Sequence, residues 1–273
     1  MRTGSPVIGL LVAVAAASCR ERATVVARAD PTPPASGSAS IAAPAPPASI
    51  HATVLTNRVE IPRKGHPPVI LELPAVTGLA DPAVQRDVAA LLTPEVLLGE
   101  SLADVRAEAA SVTSAADLAG GLQSATYTVE YDAHGILGIK ECSESMGAYP
   151  STTCVRVLVD LERGRAIGAA VAFLPAAVPG LVARLDARVK AEATSSAAAK
   201  DPDFGDLAKH AGYEPQELDT FRVADDGVTF FHDYGFPHVA LALQPPGEFF
   251  FPWRELAADV DPHGPLSRVR AAP

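Results

Sequence analysis

Cysteine and basic residues are scarce in this 273-residue sequence. It has only three cysteines, and its 22 lysines and arginines are outnumbered by 32 carboxylates. The acidic balance argues against a nucleic-acid partner, because such proteins need a basic surface to displace counterions. No Gly-x-Ser-x-Gly elbow and no glycine-rich phosphate loop occurs. The sequence therefore nominates no catalytic residue and no cofactor, and we expect binding rather than catalysis.

The first nineteen residues have the layout of an export signal. Arg2 supplies a positive start, and the apolar run over residues 7–17 is too short to span a bilayer stably. Small residues then precede Cys19, an arrangement that resembles a bacterial lipobox, although Ala16 stands where the lipobox usually has leucine. We predict a lipoprotein signal peptide over residues 1–18 and lipidation of Cys19. A plain secretory signal cleaved near the same place is the alternative.

Residues 19–52 are rich in proline, alanine and serine. They offer almost no large apolar side chains, so this segment is predicted to be a disordered tether. A lipid anchor, a tether and a folded body predict a protein of the bacterial cell envelope, held to a membrane by its N-terminal lipid and facing the periplasm or the exterior. Arg20 replaces the aspartate associated with inner-membrane retention, which favours the outer membrane.

Two cysteines remain once Cys19 is assigned to the lipid. Cys142 and Cys154 flank one loop, and an even number of thiols in an exported protein favours a disulfide. They lie too far apart for a C-x-x-C redox site, and no third thiol is present to complete a metal site. We predict a structural disulfide that contributes about 2–3 kcal/mol through chain entropy.

Residues 53–268 have the pattern of an α+β domain, with two subdomains, about 53–118 and 119–268, as a possible division. Tyr127, Val129 and Tyr131 alternate with polar residues, and turns separate them from two further alternating segments before Gly164. Asp81 and Pro82 are typical of a helix start, and apolar residues at helical spacing follow them. The same spacing recurs in two later segments. Helical segments are expected over residues 81–92, 102–110 and 168–199.

Four short apolar runs near the C-terminus are predicted as strands: residues 220–223, 227–232, 238–243 and 248–252. The helices are segregated from these strands, which is typical of an α+β fold. The prediction is a mostly antiparallel sheet, formed by the meander before Gly164 and the C-terminal strands, with helices packed on one side.

Aromatic side chains supply the candidate binding residues. Phe249 and Phe251 share one face of a predicted strand, so Phe250 should point outward. Exposed aromatics are common anchors of binding surfaces. The candidates for such a surface are Tyr149, Tyr234, Phe250 and Trp253. Packing of an edge strand and its closing helical turn is the alternative explanation for the cluster around Phe250.

His232, Asp233 and His238 form the closest grouping of potential metal ligands. His232 and Asp233 are adjacent on a predicted strand, so their side chains should point to opposite faces. The three residues are therefore not expected to share a metal.

Five short motifs occur in a characteristic order: LPAVTGL at 73–79, GAYP at 147–150, D-x-x-x-G at 160–164, FRVADDGVTFF at 221–231 and FPWREL at 251–256. Together they resemble the extracytoplasmic domain of unknown function shared by the RsiV anti-sigma factor and the PdaC deacetylase, over roughly residues 60–266. The usual Gly-Gly-Ala-His-Pro loop of that family has Met146 and Tyr149 in place of its first glycine and its histidine. We therefore assign to this chain no role that depends on the histidine of that family.

The resemblance implies an accessory, non-catalytic domain, which binds lysozyme in the RsiV relative. We therefore expect an envelope protein that binds or senses a cationic wall-directed protein such as lysozyme, or peptidoglycan. Arg2 is the only charged residue among residues 1–18. Cleavage of the signal peptide therefore leaves 21 basic and 32 acidic residues and a net charge of −11. That charge would steer a cationic partner toward the chain.

Two alternative functions are a cell-wall glycan-processing enzyme or its accessory, and a structural envelope lipoprotein. An enzyme predicts a deep cleft with paired carboxylates, whereas a binding protein predicts a broad, shallow surface with acidic or aromatic residues.

Overall fold

Two β-sheets and eight α-helices form the part of the chain that the computed structural model describes, residues 50, 52–118, 121–147 and 149–270. The α+β prediction is confirmed. The predicted signal peptide, Cys19 and nearly all of the predicted tether lie outside the described residues. None of the helices in the described part is long and apolar enough to cross a membrane.

The larger sheet has six strands in sequence order: β1 (Thr53–Arg63), β2 (His66–Thr77), β3 (Gly121–Ala133), β4 (Ile136–Met146), β5 (Pro150–Asp160) and β6 (Arg165–Ala166). All neighbouring strands are antiparallel except β2 and β3, which are parallel. The smaller sheet is antiparallel and contains β7 (Phe221–Ala224), β8 (Gly227–Phe231) and β9 (Glu248–Pro252).

The predicted meander is formed by β3, β4 and β5. His134 and Gly135 connect β3 to β4 with φ angles of 54° and 68°, as a two-residue hairpin turn requires. β4 and β5 pair without interruption from Ile136 opposite Asp160 to Met146 opposite Pro150.

The helices are α1 (Pro82–Leu91), α2 (Pro94–Leu97), α3 (Leu102–Ser111), α4 (Ala169–Ala172), α5 (Val178–Ser195), α6 (Gly205–Lys209), α7 (Trp253–Leu256) and α8 (Leu266–Arg270). As predicted, α1 begins at Pro82, and the Asp81 side chain accepts a hydrogen bond of 2.7 Å from the amide of Ala83. Ser101 and Asp104 form a capping box at the start of α3.

Residues 136–139 of β4 and 158–160 of β5 are buried on both faces of the meander, since successive side chains of a strand point to opposite faces. Leu137 packs with Val88 of α1 and Leu97 of α2. Its neighbour Ile136 points the other way and packs with Leu185 of α5 and with the smaller sheet. The smaller sheet contributes Phe230 and Phe251 from its inner face, and these two rings meet edge to face at 5.6 Å. The meander thus lies between the N-terminal helices and a second layer that carries the candidate site.

The strand predicted over residues 238–243 is wrong, since His238–Leu243 is a 3₁₀ helix. Pro237 precedes it, and its carbonyl accepts a hydrogen bond of 2.7 Å from the amide of Ala240. Ala240 is buried against Phe236, whereas Val239 is 78% exposed. Ala240 is the only fully buried residue of this apolar run, which has no partner strand among the described residues.

Candidate functional site

The site is organised by a contact between an imidazole and a carboxylate. His232 follows β8 directly, and its amide donates a hydrogen bond of 2.9 Å to the carbonyl of Gly247. Its Nδ1 atom lies 2.7 Å from Oε1 of Glu217, in the 3₁₀ helix Pro215–Asp219. The other oxygen of Glu217 accepts a hydrogen bond of 2.6 Å from the amide of Glu214. The His232 side chain is 7% exposed, so this pair is held at the wall of the site rather than in solvent.

Two hollows, with volumes of about 440 and 290 Å³, flank this pair. Glu217, His232 and Asp233 line both, so we treat the two hollows as one acidic groove. The larger hollow is lined by four carboxylates: Asp206, Glu214, Glu217 and Asp233. Among its lining residues there is no lysine or arginine, although Asp206 forms an ion pair of 2.7 Å with the neighbouring Lys209.

Tyr234 forms a fixed wall of the larger hollow. Its hydroxyl donates a hydrogen bond of 2.8 Å to Glu192, which also accepts one of 3.2 Å from the amide of Gly247. Burial, followed by the hydrogen bond and charge of Glu192, raises the pKa of Tyr234 above its usual range. Its ring meets that of His232 edge to face at 4.6 Å. Tyr234 is thus a neutral, half-buried side chain within the groove.

The smaller hollow is lined by Cys154, Arg156 and Phe231, besides the residues shared with the larger one. The Arg156 guanidinium lies 3.6 Å above the Phe231 ring, and its Nε atom donates a hydrogen bond of 3.0 Å to Glu130. The positive charge of Arg156 is therefore already paired and stacked, and the hollow remains predominantly acidic.

The predicted disulfide is present: Cys142 and Cys154 are joined and lie directly opposite each other on β4 and β5. Cys154 is exposed, and Cys142 is half-buried.

Tyr149 lies at the tip of the β4–β5 hairpin and is 62% exposed. Its ring stacks on that of His238, with centroids 4.4 Å apart and an angle of 15° between the planes. Tyr149 therefore joins the hairpin tip to the 3₁₀ helix His238–Leu243, and it lines neither hollow.

Phe250 points outward, 42% exposed, and packs over Gly227, where a Cβ atom would come within 2.8 Å of the phenyl ring. Trp253 is half-buried, and its Nε1 atom donates a hydrogen bond of 2.9 Å to the carbonyl of Asp225. Phe250 lies in the middle of β9 and Trp253 directly after its end, and neither residue lines either hollow. The four aromatic candidates thus do not form one surface, and only Tyr234 belongs to the groove.

The three potential metal ligands are separated. His232 contacts Glu217, and His238 stacks on Tyr149. Asp233 accepts a hydrogen bond of 2.9 Å from the amide of Gly235. Within the described ranges, no three His, Cys, Asp or Glu side chains are grouped in a way that could hold a metal ion.

Glu141 is a buried carboxyl group outside the groove. It lies on the helix-covered face of the meander, between Tyr127 and Val155 on the neighbouring strands. Its side chain is 1% exposed, and neither oxygen has a hydrogen-bond partner. Burial raises the pKa of Glu141 to about 7.

No protein-family model and no curated protein matches this sequence. Its structure is similar to the crystal structure of a DUF3298 family member from Bacteroides fragilis, with a TM-score of 0.56 and 12% identity over 81% of this chain and 96% of that one. A DUF3298 protein from Pseudomonas aeruginosa gives a TM-score of 0.53 and 16% identity over 77% and 94% of the two chains. The fold is shared with DUF3298 proteins. At these identities the likeness concerns the fold alone.

Proposed function

We propose that this chain is a lipoprotein of the bacterial cell envelope whose folded domain binds a cationic, wall-directed protein of the lysozyme type. The observation that carries the proposal is the acidic groove, whose larger hollow presents four carboxylates and has no lysine or arginine among its lining residues.

The groove is suited to a basic side chain of a protein partner. Glu217 is fixed through both oxygens, by His232 and by the amide of Glu214, so its charge is oriented before a ligand arrives. Tyr234 is fixed by Glu192 and offers a rigid aromatic wall. A preorganised site loses little conformational entropy on binding, and an excess of carboxylates accelerates encounter with a cationic partner.

The envelope location rests on the N-terminal sequence. Arg2, the short apolar run and the small residues before Cys19 support export and lipidation, with the membrane contacted through the lipid. The segment between Cys19 and the folded domain would act as a tether. The Cys142–Cys154 disulfide is compatible with an oxidising compartment such as the periplasm or the cell exterior.

Isothermal titration of the oxidised chain with hen lysozyme, at low and at moderate salt, tests the proposal. We expect binding that weakens as salt is added, because the attraction between exposed charges is screened. Absence of heat in both buffers would refute the proposal.

A matched pair of variants assigns the binding to the groove. Asp233→Asn combined with Glu214→Gln removes two charges from the larger hollow and should weaken binding and reduce its salt dependence. Glu60→Gln combined with Glu95→Gln removes two exposed carboxylates elsewhere, so the net charge is matched while the groove is untouched. Equal affinity of the two double variants would contradict the assignment to the groove.

A further inference from the structure

We propose that the Cys142–Cys154 disulfide is a site of thiol–disulfide exchange, where an uncharged or cationic thiol attacks Sγ of Cys154. The inference does not depend on the proposed function, because it concerns the chemistry of the smaller hollow and not a protein ligand.

The first observation is the asymmetric exposure of the two sulfur-bearing residues. Cys154 is exposed and lines the hollow of about 290 Å³, whereas Cys142 is half-buried. A thiolate must approach a disulfide sulfur directly, so access decides which sulfur is attacked. Exposed disulfides are characteristically the labile or regulatory ones. The fold therefore presents Cys154 as the point of attack and leaves Cys142 as the leaving group.

The second observation is that the pairing of β4 with β5 continues on both sides of the disulfide. Four further residue pairs continue from the disulfide to the tip, beginning with Ser143 opposite Thr153 and ending with Met146 opposite Pro150. The hydroxyls of Ser145 and Ser151 add a hydrogen bond of 2.8 Å near the tip. The strand register is thus maintained on both sides of the disulfide, and the bond can open while the fold persists.

The third observation concerns the charge around the sulfur. Glu217 and Asp233 line the same hollow, and the charge of Arg156 is already paired with Glu130 at 3.0 Å. Every attacking thiolate brings one negative charge to this hollow, so a thiol with a further negative charge would be repelled most strongly, whereas a cationic group on the thiol would offset the repulsion.

The exchange has two balanced steps. A thiolate attacks Sγ of Cys154, which forms a mixed disulfide and releases Cys142 as a thiolate that takes up a proton. A second thiol then attacks the mixed disulfide, releases Cys154 as a thiol and leaves the two external thiols joined as a disulfide. The protein gains two electrons and two protons, and the two external thiols lose them.

Differential alkylation and mass spectrometry of the full oxidised chain in native buffer test this inference. Dithiothreitol should reduce the disulfide while circular dichroism reports an intact fold, and cysteamine, a cationic thiol, should form its adduct on Cys154. A disulfide that resists dithiothreitol until urea unfolds the chain would overturn the inference, as would a cysteamine adduct on Cys142.

Two tryptophan variants separate access from stability. Thr220 lines the hollow, so Thr220→Trp should slow exchange roughly tenfold by obstructing access to Cys154. Thr153 precedes Cys154, and its side chain points to the opposite face of β5, so Thr153→Trp should leave the rate unchanged. Equal rates for both variants would show that the hollow is not the route of attack.

Discussion

Nδ1 of His232 and Oε1 of Glu217 are 2.7 Å apart, although fifteen residues separate them in the chain. The other oxygen of Glu217 accepts a hydrogen bond from the amide of Glu214. One carboxylate therefore connects the end of β8 to the 3₁₀ helix Pro215–Asp219, and it shapes both hollows of the acidic groove.

Glu217→Ala removes both contacts of this carboxylate. We expect the free energy of unfolding to fall by about 2 kcal/mol, because hydrogen bonds to charged groups are lost and the imidazole of His232 loses its partner. Urea denaturation measures the effect. Gln216→Ala, at an exposed neighbouring position, serves as the control, and an equal loss for the two variants would show that the connection contributes nothing.

Glu141→Gln should remove a pH dependence of stability. The pKa of this carboxyl is raised from 4.5 to about 7 in the folded chain, so between these values the unfolded state loses its proton first and becomes favoured. Wild-type stability should thus fall by about 3 kcal/mol as the pH rises from 4.5 to above 7. Below 4.5 both states are protonated, and the effect vanishes.

Urea denaturation of wild type and Glu141→Gln at pH 4.5 and pH 8 measures this effect. The variant should be the more stable protein at pH 8 and should lose its advantage at pH 4.5. Glu60→Gln changes an exposed carboxylate on β1 and should leave the pH profile as it is in wild type. A Glu141→Gln profile parallel to that of wild type would contradict the burial argument.

Gly247→Ala should destabilise the chain more than Gly235→Ala does. Both glycines have positive φ, 65° and 64°, so alanine is strained at either position, by about 1–2 kcal/mol. At Gly247 a Cβ atom would also overlap the carbonyl oxygen of His232, whereas at Gly235 it would meet no atom within 4 Å. The difference between the two variants, expected at about 2 kcal/mol in thermal or urea unfolding, measures that close approach. Similar losses would mean that the backbone relaxes around the added methyl group.

Arg156 and Glu130 should show a coupling energy in a double-mutant cycle. Their side chains are only 14% and 12% exposed, so Arg156→Met leaves a poorly solvated carboxylate without its partner and should cost about 2–3 kcal/mol. Adding Glu130→Gln removes that charge, so the double variant should be more stable than the sum of the single effects implies. Chemical denaturation of the four proteins gives the coupling, and strictly additive effects would exclude it.

Local patterns in the sequence predicted much of the fold. The alternation around Tyr127 and the turn before Ile136 predicted the meander, and Asp81 and Pro82 marked the start of α1, because these signals depend on neighbouring residues alone. The segment His238–Leu243 was predicted wrongly. It is apolar enough for a strand, but it contacts Phe236 and the region of Ala198 instead of a sheet, and no local pattern encodes that choice.

The groove was less predictable than the fold. The outward direction of Phe250 followed from the alternation with Phe249 and Phe251, and it is confirmed. Glu217 and Arg156 were not singled out, because their partners lie in other elements and their importance arises only from tertiary packing. The one local signal at Glu217 is its position three residues after Glu214. From there its side chain accepts a hydrogen bond from the Glu214 amide.

The parallel pairing of β2 with β3 has a consequence for the order of folding. The two strands pair at Ile70 opposite Ser124 and at Leu71 opposite Ala125, and three α-helices and one 3₁₀ helix lie between them in the chain. An antiparallel hairpin closes a short loop. The pairing of β2 with β3 closes a long loop instead, so chain entropy is lost before the contacts between these strands can stabilise them. We therefore expect the meander to form early, and docking of the β1–β2 hairpin onto it to be the slower, non-local step that completes the sheet.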